Sequence, residues 1–280
     1  MSDICNTSSS AREALATRYA RLNLRAQEAP TAPQRVLTIA GKRCGWVTQA
    51  ACDALRARDD TITQASGMDI MPHGEPGPAL DHVLADVANM LRASDCLRGW
   101  RGELLDVMSP EGVIGRIERA ATRPLGLRTR AVHLNAWTPE GKLWIARRAL
   151  SKSTDPGMWD TLVGGLVGAG ESPDYALTRE CAEEAGLSEA DIASRSPLRT
   201  ILRMHRRLPE GYQVEDLLVS NCVLSGDVRP TNQDGEVSEI QTVTPSEAVA
   251  MVDAGAFTLE AALVVIEDMM RAASSRRATA

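Results

Sequence analysis

Apolar and polar positions along the chain predict an N-terminal part built from helices and short hairpins. Residues 1–10 are expected to be disordered, and a helix over residues 11–28 ends before Pro30 and Pro33, because proline interrupts helical hydrogen bonding. Residues 59–78 are rich in Gly, Pro and Asp and are predicted to be loop. The other predicted elements are strands over 35–39, 43–47, 103–108 and 113–117, and helices from Thr48 to about Arg58 and over 79–93. Together they predict a small α+β unit over residues 34–125, preceded by a tail and helix over residues 1–33.

After Pro124 the pattern changes to longer alternating strands. Residues 131–138 alternate, with Val132, Leu134 and Ala136 on one predicted face and His133, Asn135 and Trp137 on the other. Further strands are predicted over 142–147, 159–163, 200–208, 213–225 and 239–243, and helices over 173–185, 246–253 and 258–272. The order of strands, helix, strands and helix predicts an α/β fold, an αβα sandwich with a mixed sheet, over residues 126–275.

One segment, Gly165–Leu187, contains a strong helix pattern together with charged residues. Ser172 is a suitable N-cap, and Pro173 suits the first turn, where its missing N–H would have no helical partner. Gly186 accepts the left-handed backbone that ends a helix. The segment therefore predicts a loop that leads into a helix over 173–185.

Three carboxylates lie on one face of this helix. Glu180, Glu183 and Glu184 stand at positions i, i+3 and i+4. Carboxylates this close repel one another unless a cation lies between them, and Mg²⁺ prefers oxygen ligands, waters and substrate phosphates. Arg179 is positioned to brace a carboxylate or to contact phosphate. The alternative is a solvated acidic face, which such a run forms more often than a metal site when it stands alone.

The spacing of the whole segment resembles the signature of the Nudix hydrolases, GX5EX7REUXEEXGU, where U is aliphatic. At typical residue frequencies the seven fixed matches have a chance of about one in 10⁸ per start position. Cys181 departs from an aliphatic position, where a buried cysteine behaves as a small hydrophobe. The matching residues are Gly165, Glu171, Arg179, Glu180, Glu183, Glu184 and Gly186.

The resemblance implies Mg²⁺-assisted hydrolysis of a diphosphate linked to another moiety, with Mn²⁺ as a substitute. Glu180 would be either a third metal ligand or the base that takes the proton from water, and Arg179 would orient it. Glu171 would stabilise the loop and the helix start. The implied metal ligands are the carboxylates of Glu180, Glu183 and Glu184 and the backbone carbonyl of Gly165.

A narrower resemblance covers roughly residues 34–275. The runs RAVHLNAW, LWIARR and DPGMWDTLVGGLVGAGE resemble a Nudix subfamily with a small N-terminal domain of unknown function. They are also similar to the Nudix domain fused to thiamine pyrophosphokinase in some fungi. This similarity implies thiamine diphosphate or its oxidised analogues as substrate. Nucleoside diphosphate derivatives offer the same diphosphate and an equally flat ring, so the residues alone do not choose between them.

Several residues outside the signature are candidates for substrate binding. Arg147 and Arg148 end a strand that should point towards the Gly-rich loop, where one could bind phosphate; an exposed pair is the alternative. Trp137 and Trp159 could stack on an aromatic ring or pack in the core. Weaker candidates are Lys152, the cluster of Arg203, Arg206 and Arg207 near His205, and Glu236.

Composition excludes some classes of partner. The 280 residues carry a net charge of −6, so the chain offers no electrostatic support for nucleic-acid binding. No apolar run reaches the length of a membrane span, and MSDICNTSSS does not have the pattern of a signal peptide. Six cysteines without a CxxC pair favour reduced thiols and a cytoplasmic protein.

Two other function classes stay open at this point. One is a catalytically silent Nudix fold that senses a ligand, and the other is an isomerase acting on a prenyl diphosphate. The complete acidic triad and signature favour the hydrolase. The N-terminal unit has two predicted roles, as a wall of the substrate pocket or as the interface of a homodimer.

Overall fold

A computed structural model describes residues 2–32, 35–58, 61–64 and 67–278. The helices are α1 (Ser2–Arg25), α2 (Gln49–Leu55), α3 (Pro78–Ala93), α4 (Pro173–Ala185), α5 (Pro245–Asp253) and α6 (Leu259–Ala278), with a 3-10 helix at Arg119–Ala121. The first six strands are β1 (Val36–Ile39), β2 (Lys42–Trp46), β3 (Thr61–Gln64), β4 (Gly67–Ile70), β5 (Leu104–Ser109) and β6 (Gly112–Glu118). The others are β7 (Arg128–Trp137), β8 (Leu143–Arg148), β9 (Trp159–Thr161), β10 (Val163–Leu166), β11 (Arg199–Leu208), β12 (Gly211–Val223) and β13 (Val237–Val243). Within these described ranges, no helix is long and apolar enough to span a membrane.

The N-terminal unit contains a four-stranded sheet and a separate hairpin. The sheet has the order β2-β1-β4-β3, with β1 and β4 parallel, and the hairpin is β5–β6. The apolar side of α3 packs on this unit through Leu80, Leu84, Val87 and Leu91, all fully buried. The same core includes Leu125 and Leu127, so its packing continues into the start of the following domain.

Two expectations for this region are wrong. The segment 59–78 is not all loop, because Thr61–Gln64 and Gly67–Ile70 form β3 and β4. Strand β4 lies between β1 and β3 and buries Met68 and Ile70, so pairing and burial outweigh its loop-like composition. Residues 2–10 are helical rather than disordered, since α1 begins at Ser2. Met1, Pro33 and residues 34, 59, 60, 65 and 66 lie outside the described residues.

The second domain is built on a seven-stranded mixed sheet. Its main order is β11-β12-β7-β8-β13, with β10 beside β7 and β9 beside β8. Strand β12 runs parallel to β7 over ten residue pairs, while the other pairings are antiparallel. Residues 131–136 of β7 are all buried, because this central strand has protein on both faces.

Helices cover both faces of this sheet. Helix α4 packs on one face, with Leu177 and Cys181 in contact with the core around Val132 and Leu134. On the other face, α1, α5 and α6 surround a core that includes Leu22 and Leu263. The predicted α/β class and αβα sandwich with a mixed sheet are confirmed.

The N-terminal hairpin supports the loop that precedes α4. The Ala169 N–H donates to the carbonyl of Leu104 at 2.8 Å. The Asp106 carboxylate accepts from the Gly170 N–H at 3.0 Å and pairs with Arg130 at 3.1 Å. These contacts connect the N-terminal unit directly to the segment of the sequence signature.

Candidate active site

Helix α4 starts and stops where its sequence predicts. The Ser172 hydroxyl accepts from the Tyr175 N–H at 3.2 Å, and Pro173 occupies the first turn. Gly186 has a φ of 63°, in the left-handed region, and its N–H bonds to the carbonyl of Ala182. The helix therefore presents its acidic residues from fixed positions above the sheet.

Two of the glycines before α4 lie in a strand rather than in the loop. Gly164 and Gly165 belong to β10 and stand opposite His133 and Val132 of β7. A Cβ atom at Gly165 would overlap the carboxyl group of Glu180. The absence of a side chain at Gly165 therefore allows the Glu180 carboxylate to lie directly against this strand.

Arg179 connects the acidic residues to one another. Its guanidinium donates to Glu171 at 3.0 Å, to Glu180 at 2.8 Å and to Glu183 at 2.9 Å. The hydrogen bonds with Glu171 raise the pKa of Arg179 most, and burial works against them. Glu171 also accepts from the Gly168 N–H at 2.9 Å, and its bond to Arg179 lowers its pKa. Glu171 thus joins the loop before α4 to the centre of the acidic cluster.

Two of the three motif carboxylates are withdrawn from solvent. Glu184 is 5% exposed, accepts from the Gly164 N–H at 2.9 Å, and lies 3.8 Å from the ammonium of Lys152. Burial raises the pKa of Glu184 to about 8, although Gly164 and Lys152 lower it. Burial also raises the pKa of Glu180, against the effect of Arg179. Glu183 is the open member, with a side chain 49% exposed.

The donor set of this cluster fits a hard divalent cation. Buried carboxylates are costly without a positive partner, and carboxylate and carbonyl oxygens are the ligands that Mg²⁺ prefers. Within the described part of the chain, no three acidic, histidine or cysteine side chains already surround a common metal position. Arg179 and Lys152 instead supply the positive charge beside these carboxylates.

The predicted substrate residues separate into two groups. Arg148 and Lys152 lie beside the acidic cluster, where Arg148 donates to Asp160 at 3.1 Å and both line the space next to Gly164. Arg147 points elsewhere, because it donates to the carbonyl of Gly157 at 3.0 Å and lies 5.8 Å from the ring of Trp159.

Trp137 lies away from the acidic cluster. Its indole N–H donates to Asp268 at 2.9 Å, and the side chain lines a largely apolar groove of about 1070 Å³ between α1, α5 and α6. Trp159 is half-buried against the core on the α6 side of the sheet. Neither indole lines the cavities beside Gly164, and stacking on substrate stays a prediction for both.

The weaker candidates also have structural partners. Arg203 pairs with Asp216 at 2.6 Å, and Arg207 donates to the carbonyl of Ala29 at 2.9 Å. His205 lies 3.3 Å from the hydroxyl of Tyr212. Arg206 pairs with both Asp155 and Glu260, and Glu236 pairs with Lys152.

A polar cavity of about 120 Å³ lies beside Gly164 and Gly165, and no sequence motif predicted it. Arg148, Lys152 and Asp160 line one side. Buried polar residues of β7 and β12 line another side, and Arg119 and Arg123 come from the N-terminal unit and its connection to the sheet. The sequence contained one signal of this cavity, because polar residues occur in central strands that are otherwise apolar. A polar group buried in such a strand needs a hydrogen-bond partner.

Comparison with known proteins identifies the family. The NUDIX domain model matches residues 127–263. A Nudix hydrolase of Deinococcus radiodurans is 31% identical over 163 residues, which cover 56% of this chain and 88% of that protein. The chain belongs to the Nudix hydrolase family. The family prediction made from residues 165–187 is confirmed, and α4 is the helix of the Nudix motif.

Other similarities of this chain extend beyond the motif. Nudix hydrolase 20, chloroplastic, of Arabidopsis thaliana is 33% identical over 195 residues, 68% of this chain and 52% of that protein. The chain thus spans about half the length of the first curated relatives it matches. A crystal structure from Deinococcus radiodurans matches with 30% identity and a TM-score of 0.43, over 56% of this chain and 92% of that one.

Proposed function

We propose that this member of the Nudix family is a Mg²⁺-dependent pyrophosphohydrolase that cleaves the diphosphate of a small organic diphosphate. The observation that supports it best is the position of Glu180 and Glu184, two largely buried carboxylates that lie against Gly164 and Gly165. A ligand-sensing module has no need for three mutually repelling carboxylates at this density. The cluster therefore favours catalysis over binding alone.

The metal would be held by the carboxylates of Glu183 and Glu184 and by the carbonyl of Gly165. When bound, it would neutralise diphosphate oxygens and lower the pKa of a water molecule. Arg179 keeps the carboxylates of Glu180 and Glu183 in place through hydrogen bonds of 2.8 and 2.9 Å. The site thus has its orienting residue within the same helix.

Glu180 is the group that we assign as the general base. A carboxyl group whose pKa is raised is a better proton acceptor near neutral pH than an ordinary exposed one. Burial raises the pKa of Glu180, and Arg179 orients the group. Lys152 and Arg148, which line the space next to Gly164 together with Glu184, would bind the charged oxygens of the substrate.

For the substrate, we propose thiamine diphosphate or one of its oxidised analogues ahead of nucleoside diphosphate derivatives. The support is the sequence similarity of residues 130–171 to the Nudix domain attached to thiamine pyrophosphokinase. The test compares kcat/KM for thiamine diphosphate, an oxidised analogue, ADP-ribose and a nucleoside triphosphate. A tenfold advantage for either nucleotide, about 1.4 kcal/mol, would exclude the thiamine class.

The metal-dependent mechanism is tested with Glu184→Gln, which keeps the size of the side chain but removes a charge and a hard ligand. We expect kcat to fall by at least ~10²-fold, because a positioned charge is lost. The exposed Glu189, just beyond α4, provides the matched control, and Glu189→Gln should retain full activity. Chelation of divalent cations should abolish turnover in the wild type and in Glu189→Gln. Near-normal kcat in a folded Glu184→Gln variant would remove α4 from the mechanism.

A further inference from the structure

The loop between β10 and α4 receives half of its backbone hydrogen-bond acceptors from the N-terminal unit. Every N–H group of residues 167–170 has an acceptor, and the first two are bound within the Nudix domain. The other two belong to Ala169, which donates to the carbonyl of Leu104 at 2.8 Å, and to Gly170, which donates to the carboxylate of Asp106 at 3.0 Å. Strand β5 therefore holds the second half of this loop.

Asp106 faces the loop because side chains alternate along β5. Its neighbour Val107 is fully buried in the core of the N-terminal unit, so Asp106 lies on the opposite face of the strand. One carboxylate oxygen accepts from the Gly170 N–H, and the other lies 3.1 Å from the guanidinium of Arg130 on β7. A charge-assisted bond on each oxygen fixes the orientation of a carboxylate. Asp106 thus joins the loop to the central strand of the Nudix sheet.

The hairpin that carries Asp106 is itself held in place. Strand β5 pairs with β6 along its whole length, from Leu104 to Ser109. The N–H of Arg116 on β6 donates to Asp81 of α3 at 2.9 Å. A side chain on a paired and packed strand is positioned more precisely than one on a loop. Asp106 therefore has the support that a positioning residue needs.

The loop is attached to the acidic cluster at both of its ends. Arg179 donates to the carbonyl of Leu166, where β10 ends, at 3.3 Å and to Glu171, where the loop ends, at 3.0 Å. The same guanidinium holds Glu180 and Glu183. A displacement of the loop would therefore shift Arg179 and the two carboxylates with it.

We propose that Asp106 is a positioning residue for the reaction, through which the N-terminal unit sets the position of the motif loop and of the acidic cluster. Asp106 acts on the carboxylates only through the loop, by way of Gly170 and Arg179. This role differs from the pocket wall and from the dimer interface that the sequence predicts for the N-terminal unit. The inference rests on the proposed function, because it takes the acidic cluster as the metal-binding and catalytic centre.

The test measures Mn²⁺ affinity, kcat and KM for the full chain with Asp106→Ala. Mn²⁺ binding is followed by the EPR signal of the free ion, which requires neither substrate nor turnover. We expect the Kd for Mn²⁺ to rise by at least about threefold, and kcat to fall by about tenfold, because the carboxylates are displaced by a fraction of an ångström. The substrate is thiamine diphosphate or ADP-ribose, whichever the wild type hydrolyses. KM should change by less than about twofold, since Arg148 and Lys152 stay in place.

Val107→Ala is the matched control. Val107 is the next residue on β5 and faces the core on the other side of the strand. Truncation of a buried valine lowers the melting temperature, as the loss of Asp106 also should. Val107→Ala should nevertheless leave kcat and the Kd for Mn²⁺ unchanged. If folded Asp106→Ala has the same kcat and Kd as Val107→Ala, Asp106 has only a structural role and the proposal is overturned.

Asp106→Asn keeps the proposal testable if the alanine variant does not fold. The amide has the shape of the carboxylate but a single acceptor oxygen, so its NH₂ group must face either Gly170 or Arg130 and set donor against donor. We expect the same changes at a smaller size, about two- to fivefold in kcat and in the Kd for Mn²⁺. Wild-type values of both quantities in folded Asp106→Asn would overturn the proposal.

Failure of this inference and failure of the proposed function give different results. Mn²⁺ binding that requires Glu184 and weakens in Asp106→Ala, without hydrolysis of any diphosphate, would refute the proposed function and keep the positioning role. Hydrolysis that is lost in Glu184→Gln and normal in Asp106→Ala would do the reverse. A wild type that neither binds Mn²⁺ through Glu184 nor hydrolyses a diphosphate would overturn both.

Discussion

At the scale of single residues, the site depends on how closely the backbone approaches a carboxylate. Gly165 has no side chain, so the Glu180 carboxyl group occupies the space that a Cβ atom would need. Arg179 holds that carboxyl group from the other direction at 2.8 Å. Glu180 therefore has little freedom to move away.

We expect Gly165→Ala to reduce kcat by on the order of 10²-fold, since the new methyl group displaces a catalytic carboxylate by about 1 Å. The protein should stay folded, because the atoms that must move belong to the end of one side chain. Gly226 is exposed, and a Cβ atom there meets nothing within 4 Å, so Gly226→Ala is the control. The measurements are kcat and the melting temperature. Normal kcat in folded Gly165→Ala would show that the position of Glu180 is not critical.

The sequence predicted the residues of the acidic cluster but not those of the polar cavity beside Gly164 and Gly165. Glu180, Glu183 and Glu184 are neighbours on one helix, so their spacing alone predicts a shared face. Arg123 and Glu215 also bind each other, but they are 92 positions apart. Contacts of that kind depend on how β12 pairs with β7, which no local pattern specifies.

At the scale of elements, local signals predicted α4 well and predicted strands β3 and β4 poorly. Capping and glycine signals fix the ends of α4 within the helix itself. Strand β4 contains Gly67 and Asp69, which disfavour strands, and it forms because β1 and β3 pair with both of its edges. Its formation is set by tertiary pairing.

The hairpin β5–β6 acts on the motif loop through one carboxylate, which leads to a prediction for stability. Asp106→Ala removes the acceptor for the Gly170 N–H and leaves Arg130 without its partner at 3.1 Å. We expect the free energy of unfolding to fall by about 1–3 kcal/mol, as measured by urea denaturation. Asp86→Ala, at an exposed position of α3, should change it by less than about 0.5 kcal/mol. Equal effects of the two variants would mean that the hairpin does not stabilise the loop.

At the scale of the whole molecule, charge pairs connect the two domains and the strands of the large sheet. Glu215 pairs with Arg123, and Asp216 pairs with Arg128 and with Arg203. Burial alone would raise the pKa of both acids, but their hydrogen-bonded partners bring each below its ordinary value. These carboxylates are therefore more easily ionised in the folded state than in the unfolded chain.

A depressed pKa in the folded state gives stability that is present above the unfolded pKa and is lost as pH falls through the folded pKa. We expect the contribution of Glu215 to the free energy of unfolding to be present above its ordinary pKa value of 4.5 and to be lost as pH falls below it and through the lowered folded pKa. Chemical denaturation at several pH values should give a shallower acid dependence for Glu215→Gln than for the wild type. Acids with a raised pKa, such as Glu184, change the stability in the opposite direction as pH falls. Because they are present in both the wild type and Glu215→Gln, the difference between these two proteins reports Glu215 alone. An identical slope in Glu215→Gln and in the control Glu189→Gln would contradict this assignment.

The packing of α1 has a consequence for biosynthesis. Leu22 lies in the core beneath α6, and Arg18 bonds to Asp253 across 235 positions of sequence. On a ribosome that adds about 5–20 residues per second, α1 would wait roughly 10–50 s for these partners. During that interval the apolar side of α1 stays uncovered, so the growing chain is exposed to aggregation, and in need of a chaperone, at this helix until α5 and α6 have been made.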